Sequence, residues 1–166
     1  MSTRTSALHW PEYLIEAAAL GAFMVSAAVW AALLYHPASP VARAISNALV
    51  RRAFMGLAMG STAVAIVYSR WGQRSGAHMN PAVTLTFFRL GKVAGWDAVF
   101  YAMAQIVGGL SGIVAVAALT GGRVAHPAVS YVATVPGAWG VGVAFAAALS
   151  ANGGGRRCIF HCGYAS

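Results

Sequence analysis

The sequence predicts an all-α membrane protein of three transmembrane helices and one re-entrant half-helix, with an incomplete fourth helix behind them. Three observations predict it. Hydrophobic residues make up 59% of the 166 and charged residues only 8%, where soluble domains carry about 25% charged. Several apolar runs are long enough to cross a hydrocarbon core of about 30 Å. One shorter apolar piece, headed by Asn80-Pro81, lies between polar boundaries. The charge pattern agrees. The chain has three acids, Glu12, Glu16 and Asp97, so its net charge of +8 reflects a shortage of acids. The eleven Lys and Arg are scattered or sit at the ends of apolar runs, where long cationic side chains reach the headgroups. Nucleic-acid binding needs a clustered basic stripe, and the sequence contains none.

Residues 1–12 read as an N-terminal tail. They do not form a secretory signal, since Arg4 is the single early positive charge and Glu12 and Glu16 interrupt the apolar run. The first span is expected over 13–35, which as a helix rises about 34 Å. His36-Pro37-Ala38-Ser39-Pro40 ends it. The stretch 40–50, interrupted by Arg43 and Asn47, is expected to be partly loop. A second span is expected over 53–68, after the interfacial pair Arg51-Arg52. Its Gly56 and Gly60 stand four apart, a spacing that lets a neighbouring helix approach closely. Residues 69–76 read as a polar loop, 80–90 as a half-helix and 96–119 as the third full span. A loop over 120–137 leads to the start of a fourth span, 138–148, too short to cross.

The segment 75–84, Ser-Gly-Ala-His-Met-Asn-Pro-Ala-Val-Thr, carries the most information. Asn caps helices, and Pro suits a first helical position, where its missing N–H had no partner anyway. The roughly eleven residues that follow rise about 16 Å, half a bilayer. Irregular backbone at that depth is tolerated only where protein buries it or water wets it. The positive end of the half-helix then lies beside a polar cavity, where it repels cations. The Asn80 amide is placed to donate to a passing water or hydroxyl oxygen, breaking the donor–acceptor chain along which protons hop.

These ten residues resemble the first signature loop of the aquaporin and major intrinsic protein family. The triplet Asn80-Pro81-Ala82 alone is weak; its context is specific, and Glu16 in the first span and Ala104-Gln105 in the third stand where the family has its buried glutamate and its Ala-Gln pair. The resemblance covers about residues 10–147, to bacterial members most closely, and corresponds to the first of two inverted repeats. It implies that Asn80, Pro81 and Ala82 form one half-helix cap at the pore. It places His78 facing the cytoplasmic vestibule and makes Glu16 a support for loop backbone. Gln105 serves either as a helix–helix hydrogen bond or as a loop anchor. Counting back without gaps sets Gly60 at the second-span position of the outer selectivity filter, where glycine favours small solutes as well as water. The N-terminus and the loop 70–92 are expected to be cytoplasmic, in the inner cell membrane. Seven positive charges (Arg4, Arg70, Arg74, Arg89, Lys92, Arg156, Arg157) then lie inside and four (Arg43, Arg51, Arg52, Arg123) outside.

The sequence departs from that family in its second half. It holds no second Asn-Pro-Ala and no filter arginine after one, and Ala148 stands where a second buried glutamate is expected. Composition then turns abruptly to Gly, Arg, Cys and His, so residues 149–166 are expected to be a non-native tail produced by a frameshift or early end. Two copies would imitate a full pore only in opposite orientations.

Each signal has a plainer alternative. His78 is a vestibule group or a satisfied loop histidine; Glu16 is a structural support or a proton relay. Gly108 to Gly112 suits packing within the chain. Cys158, His161 and Cys162 lack a fourth metal ligand. No catalytic constellation, metal motif or phosphate loop is visible, so no enzyme activity and no cofactor is expected. The expected function is passive passage of water or small neutral solutes such as glycerol, incomplete in this chain. The alternatives are a non-functional fragment and a small multi-span membrane subunit. The expected partners are those solutes, the lipid bilayer and, from the tetrameric family, further copies of the chain.

Overall fold

A computed structural model describes residues 9–133, and every regular element among them is helical. In chain order these are α1 (Trp10–Tyr35), α2 (Pro40–Ala44), α3 (Ala48–Tyr68), α4 (Arg70–Ser75), α5 (Pro81–Arg89) and α6 (Gly95–Leu119). Two short 3₁₀ turns follow, Arg123–Ala125 and Ser130–Val132. The expected fourth-span start, 138–148, and the expected tail, 149–166, lie outside the described residues.

Three helices, α1, α3 and α6, are long and apolar enough to cross a membrane. Their surroundings invert the soluble pattern. Large apolar side chains such as Leu57, Val107, Leu110, Val114 and Leu119 are exposed, while Glu16, Gln105, Thr84, His78 and Ser75 are buried. In lipid this costs nothing outside and satisfies the polar groups inside.

The helices α1 and α6 run parallel and pack most extensively. Asp97, at the start of α6, meets His9 and Tyr13 at the start of α1, and Ala28 and Ala31 cluster with Val116 toward the other end. Between those points the two backbones nearly touch. A Cβ on Gly108 would lie 2.0 Å from the Ala17 carbonyl oxygen, and one on Gly112 would lie 2.5 Å from that of Gly21. Only glycine fits such an approach, so the stripe Gly108–Gly112 packs within the chain. Helix α3 returns antiparallel along α1, pinned by Ser26 Oγ and Thr62 Oγ1 at 2.8 Å.

Several boundaries differ from the sequence-based expectation. The first span begins at Trp10, with Pro11 in its first turn. The second begins at Ala48, five residues before the expected 53. The Asn47 side chain accepts from the N–H groups of Leu49 and Val50, so the cap overrides the arginines that marked the expected start. Part of 40–50 is the short helix α2, capped by Ser39. The stretch 69–76 is not a loop. Ser69 Oγ accepts from Gly72 N at 2.9 Å, and Gly76, at φ 92°, closes the C-terminus, giving the six-residue helix α4. The close approach expected at Gly56 and Gly60 is not made among the described residues: a Cβ at either would meet nothing within 4 Å.

Candidate functional site

The described residues hold one polar interior, and Glu16 is at its centre. Its side chain is fully buried between α1, α6 and the segment that links α4 to α5. Four donors converge on it. Oε1 accepts from Ser75 Oγ at 2.7 Å and from His78 N at 3.0 Å; Oε2 accepts from Met79 N at 2.8 Å and Gln105 Nε2 at 2.9 Å. Two of the donors are backbone, so the carboxylate grips the chain itself, whatever side chains that chain carries.

The gripped backbone is unusual. Gly76, Ala77 and Met79 have φ of 92°, 47° and 47°, and the two non-glycine residues thereby adopt a conformation that costs of order 1 kcal/mol or more each. Alternating hands along a chain turn successive N–H groups to one side and make a concavity suited to an anion. Here the anion is a side chain of the same protein. The strain at Ala77 and Met79 persists because the carboxylate rewards it.

Directly after this turn α5 begins. Asn80 is the N-cap, its Oδ1 accepting from Ala82 N at 2.8 Å, and Pro81 takes the first helical position. Asn80 is exposed, and among the described residues its Nδ2 has no hydrogen-bond partner. The nine residues of α5 rise about 14 Å, which does not cross a bilayer. Its C-terminus, with Arg89 and Lys92, comes back to the side where α6 starts. The segment therefore enters and leaves on one side.

A second ring of contacts holds α5 from below. Gln105 Nε2 also reaches Thr84 Oγ1 at 3.1 Å, and Thr84 Oγ1 lies 3.2 Å from His78 Nδ1 and 3.4 Å from the Asn80 carbonyl. Gln105 Nε2 donates to the hydroxyl, whose own proton has the Asn80 carbonyl and Gln105 Oε1 as acceptors, each at 3.4 Å. The His78 ring is stacked on Phe87 at 4.7 Å and tilted against Tyr101 at 5.3 Å. It is 8% exposed, packed under the turn and not projecting into open space.

The structure thus brings together Glu16, Gln105, His78 and the cap Asn80-Pro81-Ala82. Gly60 stands apart on the open face of α3. Two contributors escaped sequence reasoning, Ser75 and Thr84. Both belong to the segment 75–84, and Thr84 is one helical turn after the cap, which is the available signal for a hydroxyl turned back to the Asn80 carbonyl. Among the described residues no group of three or more His, Cys, Asp or Glu is placed to hold a metal. Cys158, His161 and Cys162 lie outside the described residues.

Comparison with known proteins settles the family. Residues 4–152 match the model of the Major intrinsic protein family. The chain belongs to the major intrinsic protein family. A stretch of 57 residues is 44% identical to Aquaporin-5 of Ovis aries, covering 34% of this chain and 20% of that protein. The chain thus spans about a fifth of the length of that major intrinsic protein relative. No solved structure matches. Membership accounts for an all-helical membrane protein whose polar groups are turned inward.

Proposed function

We propose that the chain supplies one half of a passive pore for water or small neutral solutes, with α5 as one of its two half-helices. One observation carries this. The Glu16 clip presents Asn80 exposed, its oxygen spent on the cap and its Nδ2 without a partner among the described residues. An amide so fixed offers a donor, and only a donor, to an oxygen passing by. A water that accepts there turns its own protons away, which interrupts proton hopping while leaving water free to move. The positive end of α5 adds to the barrier against cations. Similarity to Aquaporin-5 and membership of the family support the same solute class. Catalysis has no part in this function, and the residues at the site position or line; none of them is required to exchange a proton.

An inverted-repeat pore needs a second half-helix facing the first. The one Asn-Pro-Ala of the sequence heads α5 and supplies the first of them. Gly60 is assigned to the filter wall and His78 to fixing the turn beneath the cap.

The test is osmotic swelling of vesicles containing the protein, read by light scattering together with a pH-sensitive dye inside. Asn80→Asp is expected to slow swelling or admit protons, because a carboxylate offers acceptors where the amide offers a donor. Swelling and proton leak both equal to those of the parent would remove Asn80 from the pore.

A further inference from the structure

We propose that the chain carries a binding site for one anionic phospholipid, in the leaflet on the side where α1 begins. A groove of about 570 Å³ lies there between the outer face of α1 and helix α4. Its floor includes Leu14 and Ala18, and its rim is Arg70, Trp71 and Arg74. Apolar floor and cationic rim together match a molecule with an acyl chain and a phosphate.

The rim is a fixed device. Arg70 and Arg74 stand four apart on α4 and so share one side of it. The helix itself is set by the Ser69 cap and by Gly72, where a Cβ would lie 2.1 Å from the Ile66 carbonyl oxygen. Arg74 Nε donates to Glu12 at 3.0 Å. Among the described residues no free carboxylate is left for Arg70. The chain has three acids; Glu12 is held by Arg74, Glu16 is buried in the clip, and Asp97 is taken by His9 and Tyr13. Among the described residues Arg70 makes no hydrogen bond or ion pair, so the acceptor it faces comes from outside them.

An independent observation sets the depth. Trp10, Tyr68, Trp71 and Trp96 are all strongly exposed, and the topology puts all four at the same end, at the start of α1, the end of α3, on α4 and at the start of α6. Such a belt of amphipathic rings marks the headgroup level. Arg70 and Arg74 therefore lie at the height of lipid phosphates, with Leu14 and Ala18 below them in the acyl region.

Native mass spectrometry of the full chain in detergent, titrated with phosphatidylglycerol or phosphatidylcholine, tests this. Phosphatidylglycerol is expected to be retained preferentially. Arg70→Gln, which leaves the Glu12–Arg74 pair intact, is expected to weaken that retention roughly five-fold, the effect of one interfacial charge. Ala18→Trp, on an exposed position of the floor, is expected to abolish it with every charge in place. Arg89→Gln, outside the groove, is expected to leave it unchanged. Equal retention of the two lipids, an intact adduct in either groove variant, or an equal loss in Arg89→Gln would overturn the proposal. Displacement of phosphatidylglycerol by millimolar inorganic phosphate would overturn it in favour of a free-anion site.

Discussion

At the scale of single residues, the chain concentrates its specificity in one carboxylate. Each of the four partners of Glu16 is a donor, so the site matches an ion with acceptors on both oxygens. Glu16→Gln keeps the shape and places an N–H₂ group against N–H groups. We expect it to destabilise the fold by about 3 kcal/mol or more, since buried donors left without acceptors cost about 1–3 kcal/mol each. Thermal unfolding in detergent measures it. Gln105→Leu, which removes one donor from Glu16 and one from Thr84, is expected to cost less; an equal loss would mean that packing and not the clip holds the interior. Glu16 and Gln105 stood out in the sequence because polar groups in apolar runs are expensive. Ser75 and Thr84 did not, because a hydroxyl is compatible with either environment and becomes decisive only when a partner is folded against it.

At the scale of elements, the spans were legible because length and apolarity are local properties that the bilayer reads directly. Short polar helices were not. Residues 69–76 carry no apolar periodicity, and α4 forms through its caps and through the contact of Gly72 with the end of α3. The same limit applied to pairs of glycines. Gly56 and Gly60 have the spacing of a close helix contact but face open space among the described residues. Gly21, Gly108 and Gly112, on two different helices, make the contact. Gly108→Leu is therefore expected to force α1 and α6 apart and to expose the chain to protease in detergent. Gly56→Ala is expected to be neutral or to stabilise by about 0.5–1 kcal/mol, the usual gain from removing a helical glycine. Equal protease sensitivity of the two variants would refute the crossing.

At the scale of the whole molecule, α3 is the least covered of the three long helices among the described residues. No residue of α3 is buried, whereas α1 and α6 are each partly buried. Gly60→Phe has room to be accepted without disturbing the fold. If Gly60 borders the filter, that ring narrows it, and glycerol uptake by vesicles should fall more than water flux; unchanged glycerol uptake would place Gly60 elsewhere. The clip at Glu16 also has a consequence for how the molecule is made. Glu16 enters the bilayer with the first helix, yet its last partner, Gln105, is 89 residues further along the chain. During synthesis the carboxylate meets three donors at residues 75–79 but waits for its fourth until α6 is made. Nascent chains halted before residue 105 should therefore stay beside the translocon and remain accessible there to a water-soluble carbodiimide. Chains halted once α6 has cleared the ribosome should move out into lipid and lose that reactivity, so that Gln105 acts as the signal of release.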